Sequence, residues 1–112
     1  MQLKISQRTV NGIQVLDCQG RIVFGEESVA LRDTVKQVMA TTKRIVLNLA
    51  GVSYIDSGGL GTLVGLYITA RNAGGAIKLS GLNERVGDLL QVTKLLTVFD
   101  IYDTVEQAAN FS

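Results

Sequence analysis

The apolar run Ile45-Val46-Leu47-Asn48-Leu49, followed by Val52-Ser53-Tyr54-Ile55 and then by Asp56-Ser57-Gly58-Gly59-Leu60-Gly61, constrains the fold more than any other stretch. A strand with so few polar residues belongs in a sheet covered on both faces. Downstream, Leu60, Leu63, Val64, Tyr67 and Ile68 recur at helical spacing, so the chain passes from strand to helix at Asp56-Ser57. Gly74-Gly75 ends that helix, and 76–80 resumes as a strand with Ile77 and Leu79 on one face. Strand, helix and strand in that order form the unit of an α/β sheet.

The flanking sequence extends the pattern. Leu3 and Ile5 alternate with polar residues, and Asn11-Gly12 is a tight-turn signal, which makes 13–18 the returning strand of a hairpin. Gly20 is expected to break that strand, leaving 21–25 as a loop or a short extra strand. Glu26 and Glu27 open a helix as solvated acids, with Leu31, Val35, Val38 and Met39 facing inward. Asn83 caps a further helix carrying Val86, Leu89 and Leu90; Val98-Phe99-Asp100-Ile101 reads as a last strand, and Asp103-Thr104-Val105-Glu106 as a capping box. The expected architecture is one α/β domain over 1–112, with a mixed, mainly parallel β-sheet, helices packed on it and an opening β-hairpin. A chain of 112 residues that is 46% hydrophobic can bury such a core.

Composition removes several functions. The net charge is +1 with no Lys/Arg cluster, which argues against direct nucleic-acid binding. No apolar run approaches the ~20 residues of a membrane span, and the first residues go straight into alternation rather than a signal peptide, so the expectation is a cytoplasmic protein without membrane insertion. The absence of histidine removes the commonest general base, the usual zinc sites and the Ser-His-Asp triad. Cys18 is alone, so no internal disulfide forms, and its strand context makes it a small buried residue. No enzyme, metal or cofactor is expected.

Three chemistries fit the glycine turn poorly. A Walker loop needs Lys-Ser/Thr after its last glycine, where Thr62-Leu63 stand; a dinucleotide loop needs a small residue at Val64 and a later acid, and 72–82 contain none. A nucleophile elbow needs glycine two before the serine, where Ile55 stands. Asp56 or Ser57 can instead act as a helix cap, worth about 1 kcal/mol. Yet Gly58, Gly59 and Gly61 are poor helix formers, each costing up to ~1 kcal/mol relative to alanine, which suggests a backbone kept bare for something to approach. Ser57 sits where a helix N-terminus can stabilise an anion, so it is a candidate switch residue rather than a catalyst. The Val23-Phe24 pair reads equally as an exposed sticky loop or as core or edge packing.

These residues carry a resemblance. The segment from Ile45 through Gly61, then Gly74-Gly75-Ala76-Ile77-Lys78-Leu79 and 86–99 with Leu95, resembles the STAS domain family, and a domain of this length resembles its anti-sigma-factor antagonist branch. The resemblance implies that Ser57 is the phosphoacceptor, modified by an anti-sigma factor that is also a serine protein kinase. The unphosphorylated form would bind that partner, and a PP2C-type phosphatase would restore it. Asp56 would shape the site, with Gly58, Gly59 and Leu60 at the docking surface. Two positions depart from the pattern: Gly58 replaces a second Ser or Thr, and Arg21-Ile22-Val23 replace a loop acid. The alternative is a non-switching STAS adaptor, such as a subunit of a lipid-transport ATPase complex, favoured by the apolar Ile22-Val23-Phe24 loop and the 19% charged content.

Overall fold

Two residues start the fold. Asn11 and Gly12 both adopt positive φ (52° and 76°), the backbone of a two-residue hairpin turn. In the computed structural model, which describes residues 2–110, this turn joins β1 (Leu3–Val10) to β2 (Ile13–Ile22), antiparallel with Val10 opposite Ile13. Then follow α1 (Glu26–Met39), β3 (Arg44–Ile55), α2 (Ser57–Asn72), β4 (Ala76–Ser80), α3 (Glu84–Val92), a 3₁₀ turn (Leu95–Thr97), β5 (Asp100–Tyr102) and α4 (Val105–Ala108). The sheet order is β1-β2-β3-β4-β5, with every pair after the hairpin parallel. The expected mixed, mainly parallel sheet with an opening hairpin is the one observed.

Sheet order also decides where the helices go. Each crossover steps one strand in the same direction, and right-handed crossovers then place every connecting helix on one face. Leu31 and Val35 of α1, Leu63 and Leu66 of α2, and Val86 and Leu90 of α3 share one core with Leu16, Ile45, Leu47 and Leu79 of the sheet. On the opposite face α4 buries Val105, Ala108 and Ala109 against Ile13, Val15 and Val46. Beyond α4 that face turns polar: Asp17 accepts from Arg8 Nε at 2.6 Å and from Asn48 Nδ2 at 2.7 Å. Cys18 is buried, and burial pushes its thiol up to about 12, so it stays protonated and inert.

Five local expectations shift. β2 does not stop at Gly20; a positive φ of 115° and a change of register against β3 carry the strand through to Ile22. Ile68 is exposed, and α2 instead turns Leu66 and Ala70 inward. Glu27 is buried rather than solvated, its carboxylate accepting the Gln2 N–H at 2.7 Å. The last strand begins at Asp100 because Leu95–Thr97 close a 3₁₀ turn, and α4 is capped by Thr104, whose Oγ1 accepts from Gln107 N–H at 3.2 Å. Among the described residues, no helix is long and apolar enough to cross a membrane.

Leu47 lies on the central strand and is 1% exposed, whereas Val92 is 81% exposed. Leu47→Ala is expected to cost about 2–5 kcal/mol in urea unfolding, and Val92→Ala no more than about 0.5 kcal/mol.

Candidate functional site

The C-terminal ends of β2 and β3 lie side by side, with Ile22 paired to Ile55, and both strands then leave the sheet. β2 turns through Val23-Phe24-Gly25 into α1, and β3 turns through Asp56 into α2. Asp56 ties the two exits together. Its backbone is extended (φ −92°, ψ −179°), which places it as N-cap, and its Oδ1 accepts from Gly59 N–H at 2.7 Å. Both carboxylate oxygens also lie 3.1 Å from the Phe24 N–H, and the Asp56 N–H donates to the Ile22 carbonyl at 3.3 Å. The Gly59 N–H, with lesser help from the Phe24 and Gly58 amides and the Arg21 charge, holds the Asp56 carboxyl below its ordinary value. Arg21 itself stacks on Tyr54, its guanidinium carbon 5.3 Å from the ring centre.

The five residues singled out in the sequence fall into two groups. Ser57 is the first residue of α2 and is exposed, and its hydroxyl makes no hydrogen bond among the described residues. Asp56 and Gly58 are half-buried beside it. Gly59 and Leu60 turn into the domain, and Leu60 belongs to the main core. The glycines explain this division. A Cβ on Gly59 would collide with the Ile22 carbonyl oxygen, and one on Gly58 would stand 2.6 Å from Phe24 Cβ. Much of the bareness at this turn therefore admits the domain's own β2–α1 loop. Gly61, by contrast, has nothing within 4 Å of its would-be Cβ.

Gly59 also sets the rotation of α2. With residue 59 pressed on Ile22, positions four, seven and eleven further on point inward, which are Leu63, Leu66 and Ala70. Tyr67 stays half-buried, edge-on to Phe99 with centroids 5.4 Å apart. Phe24, which the sequence allows equally as sticky loop or as packing, is 81% exposed while its amide holds Asp56. The nearest signal was Gly25, which takes φ 106° directly after it.

Chemically, the carboxylate of Asp56 is engaged by backbone donors rather than by the Ser57 hydroxyl, so it is not poised as a base. Among the described residues, no group of three or more His, Cys, Asp or Glu could hold a metal.

This strand-to-helix junction lies within the STAS domain family profile, which matches residues 4–108. The chain belongs to the STAS domain family. Over 53 residues it is 43% identical to the anti-sigma-B factor antagonist of Bacillus subtilis (strain 168), covering 47% of this chain and 49% of that one. Over 61 residues it is 34% identical to the anti-sigma F factor antagonist of Paenibacillus polymyxa, covering 54% and 52%. The matching stretch thus spans about half the length of these curated relatives. The crystal structure of an anti-sigma factor antagonist from Mycobacterium paratuberculosis superposes with a TM-score of 0.80 over 95% of this chain and 90% of that one; at 20% identity, what they share is the fold.

The junction of this STAS domain supports two predictions. A carboxyl held below the unfolded value of about 3.9 stabilises fully at neutral pH and loses that contribution as pH falls through its folded value. Asp56→Asn is therefore expected to be less stable than wild type at pH 7, with the gap closing as pH falls through the lowered folded value of Asp56, as urea titrations at neutral and acid pH would register. Among the glycines, Gly59→Ala is expected to lose about 2 kcal/mol or more, whereas Gly65→Ala, on an open helix face, should gain about 0.5–1 kcal/mol.

Proposed function

We propose that this STAS domain, read as spanning 1–112, is an anti-sigma-factor antagonist that regulates transcription by partner switching. Unphosphorylated, it binds an anti-sigma factor that is also a serine kinase, and phosphorylation of Ser57 releases it. A PP2C-type phosphatase resets the switch. The observation that carries this reading is the separation of duties at the junction. Asp56 holds the loop and the helix through Phe24 and Gly59, while the neighbouring Ser57 is exposed and supports nothing. Ser57 can then be modified without a cost to the fold. The names of the curated relatives favour the same reading.

The electrostatics supply a mechanism. A phosphoserine brings about −1.5 to −2 charges at pH 7, and the first residue of a helix tolerates them because the unpaired N–H groups there carry partial positive charge. A partner covering the same spot meets that charge beside Asp56 and must desolvate both. A loss of about 3 kcal/mol weakens binding more than a hundredfold. In this arrangement Ser57, Asp56 and Gly58 face the partner, and Gly59 and Leu60 shape the surface from beneath.

The test is the affinity of purified anti-sigma factors from the same organism for wild type, Ser57→Ala and Ser57→Asp. Wild type and Ser57→Ala should bind alike, and Ser57→Asp about a hundredfold more weakly. The exposed Phe24 ring favours a second reading, a constitutive adaptor. A transport ATPase bound equally by wild type and Ser57→Asp, with no anti-sigma factor bound by either, would establish that reading instead.

A further inference from the structure

Beside the junction a groove of about 650 Å³ runs between α1 and α2. It starts at Phe24 and Gly58 and reaches Thr69. Thr69 lies eleven positions after Gly58 on α2, about 16 Å of axis at 1.5 Å per residue. The α2 wall carries Gly61 and Gly65 above a floor at Leu66. The α1 wall carries Val29, which is 44% exposed, then Arg32 and Lys36 one turn apart.

Three observations converge on what the groove accepts. First, Gly61 and Gly65 lie inside a helix, where glycine costs about 1 kcal/mol relative to alanine, yet a Cβ on either would meet nothing within 4 Å. The cost that Gly59 offsets by admitting Ile22 is offset by nothing inside the domain at these two positions. Second, Arg32 and Lys36 have no ion-pair or hydrogen-bond partner for their side chains among the described residues, and no carboxylate lines the groove. Third, Phe24 lines the groove's near end and is 81% exposed, so apolar surface and unpaired positive charge lie on one continuous concave face.

We infer that the groove docks an acidic amphipathic helix of the partner, about three turns long, with its apolar face over Gly61, Gly65 and Phe24 and its carboxylates against Arg32 and Lys36. A 16 Å trough matches three turns of helix at 5.4 Å each. Small residues let the two helix backbones approach closely, and the cations supply charge complementarity and orientation. A phosphate or a nucleotide fits less well. Free helix N–H groups occur only at the near end, around Gly58; beside Arg32 and Lys36 the walls are the sides of two helices, whose N–H groups are bonded within the helix, so the cations face no backbone cradle for a phosphate. The inference rests on the partner-switching reading, whose anti-sigma factor would supply the acidic helix. It adds a grip distinct from the switch residue.

The experiment measures the affinity of the full chain for purified anti-sigma factors of the same organism by titration calorimetry. It compares wild type, Gly65→Leu, Arg32→Glu with Lys36→Glu, and Ser57→Asp, each checked for an unchanged circular-dichroism spectrum. Gly65→Leu should bind about tenfold or more weakly by filling the trough. The double charge reversal should bind about a hundredfold more weakly at low salt, with the difference narrowing near about 0.5 M salt. Groove variants that bind like wild type while Ser57→Asp is weakened would overturn the groove and leave the switch standing. No binding of wild type to any anti-sigma factor would overturn the switch reading and this occupant together. Self-association of wild type that Gly65→Leu abolishes would make the groove a face between copies and overturn the inference.

Discussion

The contact on which the upper half of this domain depends is the crossing of two chain segments at Asp56. The β2–α1 loop passes directly over the start of α2, close enough that residue 59 has no room for a side chain against the Ile22 carbonyl. Close approach alone would be unstable, since it brings backbone polar groups together out of water. The Asp56 carboxylate resolves this by accepting from Phe24 on one segment and Gly59 on the other. One side chain therefore caps a helix and bridges a loop, and both α1 and α2 take their placement on the sheet from that bridge.

The consequences run downward into the core. Because Gly59 presses on Ile22, α2 is rotated so that Leu63, Leu66 and Ala70 reach the sheet. The apolar residues of α2 exceed what one face can bury, so its sequence offers two registers, one through Val64, Tyr67 and Ile68 and one through Leu66 and Ala70. Helical periodicity alone does not separate them. The tertiary contact at 59 does, and the residue left over, Ile68, stands 49% exposed.

What was legible in the sequence is what local chemistry decides. Asn11-Gly12 specifies its turn because both residues accept positive φ, and Asn83 specifies a helix start because its Oδ1 can reach the Val86 N–H. The order of strands and helices followed from apolar runs, and the sheet followed from the order. Distant contacts stayed illegible. Glu27 looks like any acid in a first helical turn, and only the arrival of Gln2 at its carboxylate buries it. Gly20 looks like a strand breaker, and only the bulged pairing with β3 makes it a continuation. The glycine turn read as a surface kept bare for a visitor; part of that bareness, at Gly58 and Gly59, belongs to the domain's own loop, while Gly61 and Gly65 face open space.

That division bears on how a phosphate at Ser57 could act. The residues around Ser57 are tied down by Asp56 and by the core beneath Leu60, so a modification there has little slack through which to change the shape of the domain. Its influence is a field, and a field between solvent-exposed charges is screened within about 8–10 Å at physiological salt. The groove extends about 16 Å from Gly58 along α2, so only its near end, around Phe24, lies within reach of Ser57. A partner seated along the trough would thus feel repulsion at one end while its contacts further along, toward Lys36 and Thr69, stayed intact. Such an arrangement lets charge weaken a complex in a graded way, by subtracting one end of an interface, and it requires no second conformation of the domain.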